Sequence, residues 1–338
     1  MDEKETHSSK NPASEHTTVK YWLAWNGSNV VGRIAAFELQ AEIADKNLAR
    51  FGWFDVIDDY QAAQGLLETA IQWARERKRD GIHGPLGFSD MDPQGVLVEG
   101  YDSLATMATT YNHAYYSDFL MEFGFEPVAE WHEFQLDPSF QLDQDHRTQL
   151  EKVKKRFRFE VLEAKKQADY LPHGSDMFRL INENYQELYG FYPLSPKQIT
   201  YYIDKYLKFV RTDYFKMILR DGKLVGFGIG MPSFSKALQK CGGKLLPFGW
   251  VNLLKAFKQD DEIDLYLVSI EKDMASFGLT KLIFLEIYDS LVRNKADVVY
   301  TNPIMVGNQG SYGMWFSPTL DKQYASVRKK RQVLKLTL

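Results

Sequence analysis

Cysteine is almost absent: Cys241 is alone among 338 residues. One thiol cannot close an internal disulfide, and no Cys/His set has the spacing of a zinc site. Cys241 itself, in CGGKLL, reads as a loop or core thiol rather than a nucleophile. No apolar run approaches the roughly 18 residues of a membrane span. The opening MDEKETHSSKNPASEH is polar, so neither a span nor a secretory signal is expected, and the expected setting is the cytoplasm. An excess of one charge is lacking too: 41 basic residues against 45 acidic give −4. That is no nucleic-acid footprint, so no DNA partner is expected. The basic clusters at 152–158 and 328–335 read as solvated faces. There is no Walker motif, no G-x-G-x-x-G and no G-x-S-x-G. The S-x-x-K at Ser269–Lys272 lacks the companion motifs of its enzyme class.

What is present is core-forming material. Hydrophobic residues make up 44% and aromatics 14%, enough to bury cores, and the length suits two domains. YWLAW, Asn26-Gly27 and NVVGRIAAF read as a hairpin, and ARFGWFDVI as a third strand. Asp58 and Asp59 then open a helix whose residues Ala63, Leu66, Leu67, Ala70, Ile71 and Ala74 recur at helical spacing, with Gly81 as its left-handed stop. A short strand, a long Gly/Pro/Asp connection, a helix and a strand follow, the last two in YYSDFLMEFGFEPVAEWHEFQL. The second half repeats this layout. ILRDGKLVGFGIG matches LAWNGSNVVGRIA, placing Val225-Gly226 on Val31-Gly32. Then come EIDLYLVSI as a strand, 278–295 as a helix, DVVYTNP as a strand, a short helix from 308 and a strand at 322–336. The domains expected are a flexible lead-in at 1–16, a first domain at 17–140, a connector at 141–176 and a second domain at 177–338.

Hairpin, strand, helix, strand, helix, strand is the order of the GNAT acetyltransferases, and Phe119-Leu120-Met121-Glu122-Phe123-Gly124-Phe125 resembles the end of their fourth helix. The segments HGPLGFSDMDPQGVLVEGYDSLATMATTYN and LLPFGWVNLLKAFK resemble those of an uncharacterised bacterial subfamily. The resemblance spans most of 17–338 and implies an α/β (α+β) fold: two tandem GNAT-like domains, each a mixed, mostly antiparallel sheet flanked by helices. It implies acyl transfer from a coenzyme A thioester to an amine, with acyl-CoA as co-substrate and no metal.

The family's phosphate cradle is a Gly-containing loop opening the helix after its third hairpin-side strand. In the first half that loop is DDYQAAQG, without the glycines and with two carboxylates where phosphates would dock, and Leu120 holds the place of the catalytic Tyr. In the second half KDMASFGLT keeps Gly278, with Ala275 and Thr280 replacing other family positions. The resemblance therefore puts the donor on Ser276, Phe277, Gly278, Leu279 and Thr280 with Asn308, and leaves Trp315 where the Tyr would be. Asp90, Asp92 and Glu99 are the candidate bases: an acidic loop beside an amine pocket suits a cationic acceptor. DMDPQG misses a calcium loop, because Tyr101 stands where the bidentate Glu would be. His83, His113 and His132 read as structural. A small-molecule amine is the expected partner, with no membrane partner and a homodimer left open. Two alternatives remain: a non-catalytic ligand-binding or scaffold protein with degenerate domains, and an aminoacyl transferase resembling the Fem family.

Overall fold

The computed structural model describes residues 11–138, 144–308 and 325–338. Strands β1 (Thr17–Asn26) and β2 (Asn29–Leu39) form the first hairpin. Asn26 pairs with Asn29, so the two-residue loop is Gly27–Ser28, one residue beyond the expected pair. Then come α1 (Gln40–Lys46), β3 (Leu48–Val56), α2 (Tyr60–Glu76), β4 (Gly81–Gly84), β5 (Val96–Glu99), α3 (Tyr115–Phe123) and β6 (Glu126–Leu136). Gly124 leaves α3 at φ +106, the left-handed exit its sequence calls for. After α2 that conformation belongs to Lys78 at φ +58. Gly81 instead opens β4, where a Cβ would lie 2.8 Å from the Leu336 carbonyl.

The second half contains α4 (Gln144–Phe157), β7 (Phe159–Val161), α5 (Gly174–Asn184), α6 (Pro196–Tyr206), β8 (Phe215–Arg220) and β9 (Lys223–Pro232). It continues with α7 (Ser235–Lys240), α8 (Gly249–Ala256), β10 (Glu262–Ile270), α9 (Leu279–Arg293), β11 (Val298–Thr301), β12 (Ile304–Met305) and β13 (Ala325–Thr337). The β8–β9 loop, Asp221-Gly222, has positive φ at both residues, as a twisted two-residue hairpin requires. The short helix expected from 308 and Trp315 lie outside the described residues. Within the expected lead-in, Pro12–His16 is a short 3-10 helix, Ala13 is buried, and Glu15 pairs with Lys197 on α6.

The strands join in one sheet in the order β1-β2-β3-β4-β13-β6-β11-β10-β9-β8-β7. Only β3–β4 and β10–β11 pair in parallel among the described strands. β13, the last strand of the chain, lies between β4 and β6 of the first half, and β6 in turn borders β11 of the second. Each half thus completes its sheet with a strand from the other.

Two helices cover equivalent strands. On α2, Leu66, Leu67, Ala70 and Ile71 are buried over β2, β3 and β4 with Phe51, Ile82 and Phe125. On α9, Leu279, Leu282, Ile283 and Ile287 are buried with Val225, Ile263 and Val299. Each fully buried aliphatic contributes about 1.5–3 kcal/mol of transfer free energy. The paired Val-Gly dipeptides explain the close approach. A Cβ on Gly32 would lie 2.8 Å from Leu66 of α2, and one on Gly226 would lie 3.0 Å from Ile283 of α9. The opposite face of the second half is covered by α5 and α6, through Met177, Phe178, Leu180 and Tyr202.

Candidate functional site

Both halves contain a parallel strand pair that separates, followed by a helix start. In the first half β3 and β4 pair only as far as Arg50 and His83, and β3 runs on to Val56. The gap is filled from α3. The Tyr116 hydroxyl accepts from the Val56 N–H at 3.1 Å, and the Tyr115 hydroxyl donates to the Val56 carbonyl at 3.0 Å. Phe54 packs edge-on against Tyr116, and Phe51 against Phe125. The Asp59 carboxylate accepts from the N–H groups of Gln61 and Ala62 at the start of α2. These are the donors a phosphate would use. Leu120 is fully buried in the same core.

The second half is arranged differently. β10 pairs with β11 from Glu262 to Leu265, has an irregularity at Leu265–Leu267, and continues to Ile270 after β11 has ended. Glu271 donates to Val225 of β9, so by strand alternation Val268 and Ile270 turn their backbone groups towards the gap. The Tyr185 hydroxyl donates to the Val268 carbonyl at 3.0 Å, and Asn184 Nδ2 donates to the Ile270 carbonyl at 2.6 Å. A 3-10 turn, Lys272–Phe277, leads to Gly278 at φ +78 and then α9. Among the described residues no side chain caps this helix start. A Cβ on Gly278 would meet nothing nearer than Leu150 at 3.9 Å, so the turn is open above the glycine.

The acidic loop of the first half reaches this region. Asp90 Oδ1 accepts from Gln94 Nε2 at 2.6 Å. Burial pushes the Asp90 carboxyl above its ordinary range, against the pull of Gln94 and of the Arg50 charge. Tyr185 feels burial first and then the Asp90 charge, and both raise its phenol. Ser89 shares a hydrogen bond of 2.9 Å with Tyr202 of α6, and Met91 packs against the second half's core.

No protein-family model matches the chain. Protein YghO of Escherichia coli is 24% identical over 325 residues, spanning 93% of this chain and 82% of that protein. A bacterial ceramide synthase of Caulobacter vibrioides is 27% identical over 255 residues, 73% of this chain and 65% of that protein. The GCN5-related glucosamine N-acetyltransferase region of a fungal multi-domain β-N-acetylglucosaminidase superposes on 96% of this chain and 34% of its own. Its TM-score is 0.54 at 11% identity. The chain has the GNAT acetyltransferase fold, in tandem.

On the GNAT fold the sequence-expected residues take these places. Ser276 is exposed, Phe277 packs on Phe157 at 4.3 Å, and Leu279 is buried in the core. Gly278 and Thr280 are half-buried. Asn308 follows β12, away from that turn in sequence, and its N–H donates to the Met305 carbonyl. Of the three carboxylates, Asp90 is the one whose charge Tyr185 feels. Asp92 accepts from the Ser89 N–H at 2.9 Å, closing its own turn. Glu99 sits apart on β5, exposed and paired with Lys330 at 2.8 Å. The calcium-like spacing therefore divides its two aspartates between separate partners.

Several buried or bridging polar residues were not singled out from the sequence. Asn184 and Tyr185 were hidden because their partners lie far along the chain. Asp264 interrupts the apolar strand EIDLYLVSI, which is a readable signal of an inward charge. It is buried, and burial, against the pull of Ser233 and the Arg328 charge, pushes it up to about 7. The cluster at 328–335 corrects the expectation of a solvated face. Lys329 and Arg331 are 0% and 1% exposed. Arg331 pairs with Glu133 at 2.8 Å, and Lys329 donates to the Gly100 carbonyl. Burial, outweighing Glu133, pushes Lys329 down to about 8. A second buried ion pair, Arg50–Glu42 at 2.5 Å, also holds the carbonyls of Gly87 and Gly190, tying the α5–α6 connection to the first half. Burial opposes the charge on Glu42, but Arg50 and His83 outweigh it and hold the carboxyl at about 2.

Proposed function

We propose that the chain is an N-acyltransferase that moves an acyl group from a coenzyme A thioester to an amine, with the donor held by the second half. The observation that carries this reading is the contrast between two equivalent helix starts. Asp59 already occupies the donors of α2, whereas α9 begins behind a left-handed glycine with no side-chain cap among the described residues. Free N–H groups and the helix dipole favour a phosphate there, and Lys272 and Lys281 add positive charge close by in sequence. Bound acyl-CoA would supply the acyl carbon already activated as a thioester.

The chain's own groups then do the rest. Asp90 serves as the base: its raised carboxyl is better matched to an ammonium than an ordinary aspartate, and it takes the proton the amine must lose. Tyr185 and Asn184 hold the open edge of β10 until an arm running along that edge takes over the carbonyls of Val268 and Ile270. The amide forms as the carbon–sulfur bond breaks, and the thiolate leaves with the electron pair. A relative named as a ceramide synthase agrees with this reading, since a ceramide is an amide of a long-chain amine.

A second reading is a non-catalytic ligand-binding protein. It is favoured by the same Tyr185 and Asn184 contacts, which satisfy the β10 carbonyls without any ligand. Calorimetric titration of the full chain with acetyl-CoA and palmitoyl-CoA separates the two. Saturable binding with turnover of an amine supports transfer. Absence of binding at millimolar ligand removes it.

A further inference from the structure

The insertion between β9 and β10 differs from the rest of the surface. Residues 234–259 contain five lysines, Lys236, Lys240, Lys244, Lys255 and Lys258, and no aspartate or glutamate. That is a segment of +5 within a chain of net charge −4. Lys236 pairs with Glu262 at 2.6 Å. The other four are exposed and make no salt bridge among the described residues. Between them the surface is apolar. Leu246 is 81% exposed and Phe248 is 74% exposed, and Leu245, Trp250 and Leu254 stand beside them, also exposed.

This prominence is built rather than loose. Gly249 backs onto the Lys244 carbonyl so closely that a Cβ would lie 1.9 Å from it, so no other residue closes that turn. The Trp250 N–H donates to the Leu245 carbonyl, and its indole N–H donates to the Pro247 carbonyl at 2.9 Å. The indole therefore has its polar atom satisfied within the loop and its carbon face turned outward. Gly249 and Ala256 form the inward side of α8, and Phe234 stacks with Phe257 at the base.

Contiguous apolar surface of this kind marks a docking site. The charge pattern selects the partner. A two-fold contact between copies of the chain would set lysines against lysines. An anionic lipid surface answers both features: it attracts the four lysines and accepts leucine, phenylalanine and tryptophan at its headgroup boundary. No helix among the described residues is long and apolar enough to cross a membrane. We propose that residues 240–258 dock the protein onto an anionic phospholipid bilayer. The inference rests on this surface alone and is independent of the acyl-transfer reading.

Flotation of the full chain with vesicles tests it. Vesicles of phosphatidylcholine with phosphatidylglycerol should capture the protein about a hundredfold better or more than phosphatidylcholine alone, as four lysines at about 1 kcal/mol each near a charged surface would give. Added salt should weaken the capture, and Trp250 should bring a blue shift in fluorescence. The double variants Leu246→Ser/Phe248→Ser and Lys244→Glu/Lys255→Glu alter exposed positions only. Both should keep the wild-type thermal melt and lose the capture. The proposal is overturned if the wild type ignores the anionic vesicles or if both variants float like it. It is equally overturned if the apolar variant abolishes a dimer in a protein that binds no vesicle.

Discussion

In the proposed reading, single residues decide which half holds the donor. Asp59 fills the N–H groups of α2 with its own carboxylate, while α9 begins behind Gly278 with no side-chain cap among the described residues. Asp90, whose carboxyl burial raises, is the base of the proposed reading. Asp90→Asn should lower kcat/KM for the amine by about a hundredfold to a thousandfold, with little change in melting temperature. The wild-type rate should fall as pH drops through the raised Asp90 pKa, since the protonated acid accepts no proton, and the variant's residual rate should lack that limb. Asp264 gives a stability prediction. Its folded pKa, about 7, lies above an unfolded value of about 3.9. The folded state therefore holds this proton more tightly. The resulting stabilisation is present in full below about pH 4 and is lost as pH rises towards 7. Asp264→Asn should raise the melting temperature at pH 8 and leave it nearly unchanged at pH 4. Parallel melting curves across that window would refute the assignment.

At the scale of elements, the hairpin glycines set how close each helix lies. Gly226 has Ile270 Cγ2 and Ile283 Cδ1 at 2.9 and 3.0 Å from where a Cβ would sit. Gly226→Ala should cost about 1–3 kcal/mol through overpacking, seen as a lower urea midpoint at unchanged slope. These elements were legible because their signals are local. The Asp59 cap, the helical spacing of Leu66, Leu67, Ala70 and Ile71, and the Gly124 exit each involve residues a turn apart. The α9 turn was legible for the same reason. The Tyr185 contact with Val268 was not, because a hydroxyl gives no sign of which distant carbonyl it will meet. Lys329 and Arg331 misled for a related reason. Charge in a strand usually means solvent, yet here Glu133 and loop carbonyls compensate both cations.

The whole molecule is one sheet completed by exchange. Period-two alternation in β13 announces a strand, but it says nothing about which neighbour the strand joins, so the crossing of β13 into the first half had no sequence signal. The consequence is mutual dependence: β13 fills the space between β4 and β6, and β6 borders β11. A chain ending before Ala325 should therefore lose the first half's fold as well as its own last strand. Circular dichroism and proteolysis would show it. A truncated chain that still melts in a single wild-type transition would contradict the exchange.

The central claim is that a tandem GNAT fold keeps one donor site, in its second half. Calorimetry of acyl-CoA binding to the wild type, to Lys272→Glu/Lys281→Glu and to Asp59→Ala tests it most directly. The account predicts one site per chain, affinity reduced about tenfold by reversing the two lysines, and no new site in the Asp59 variant. Two sites per chain, no binding at all, or affinity indifferent to the lysines would contradict it.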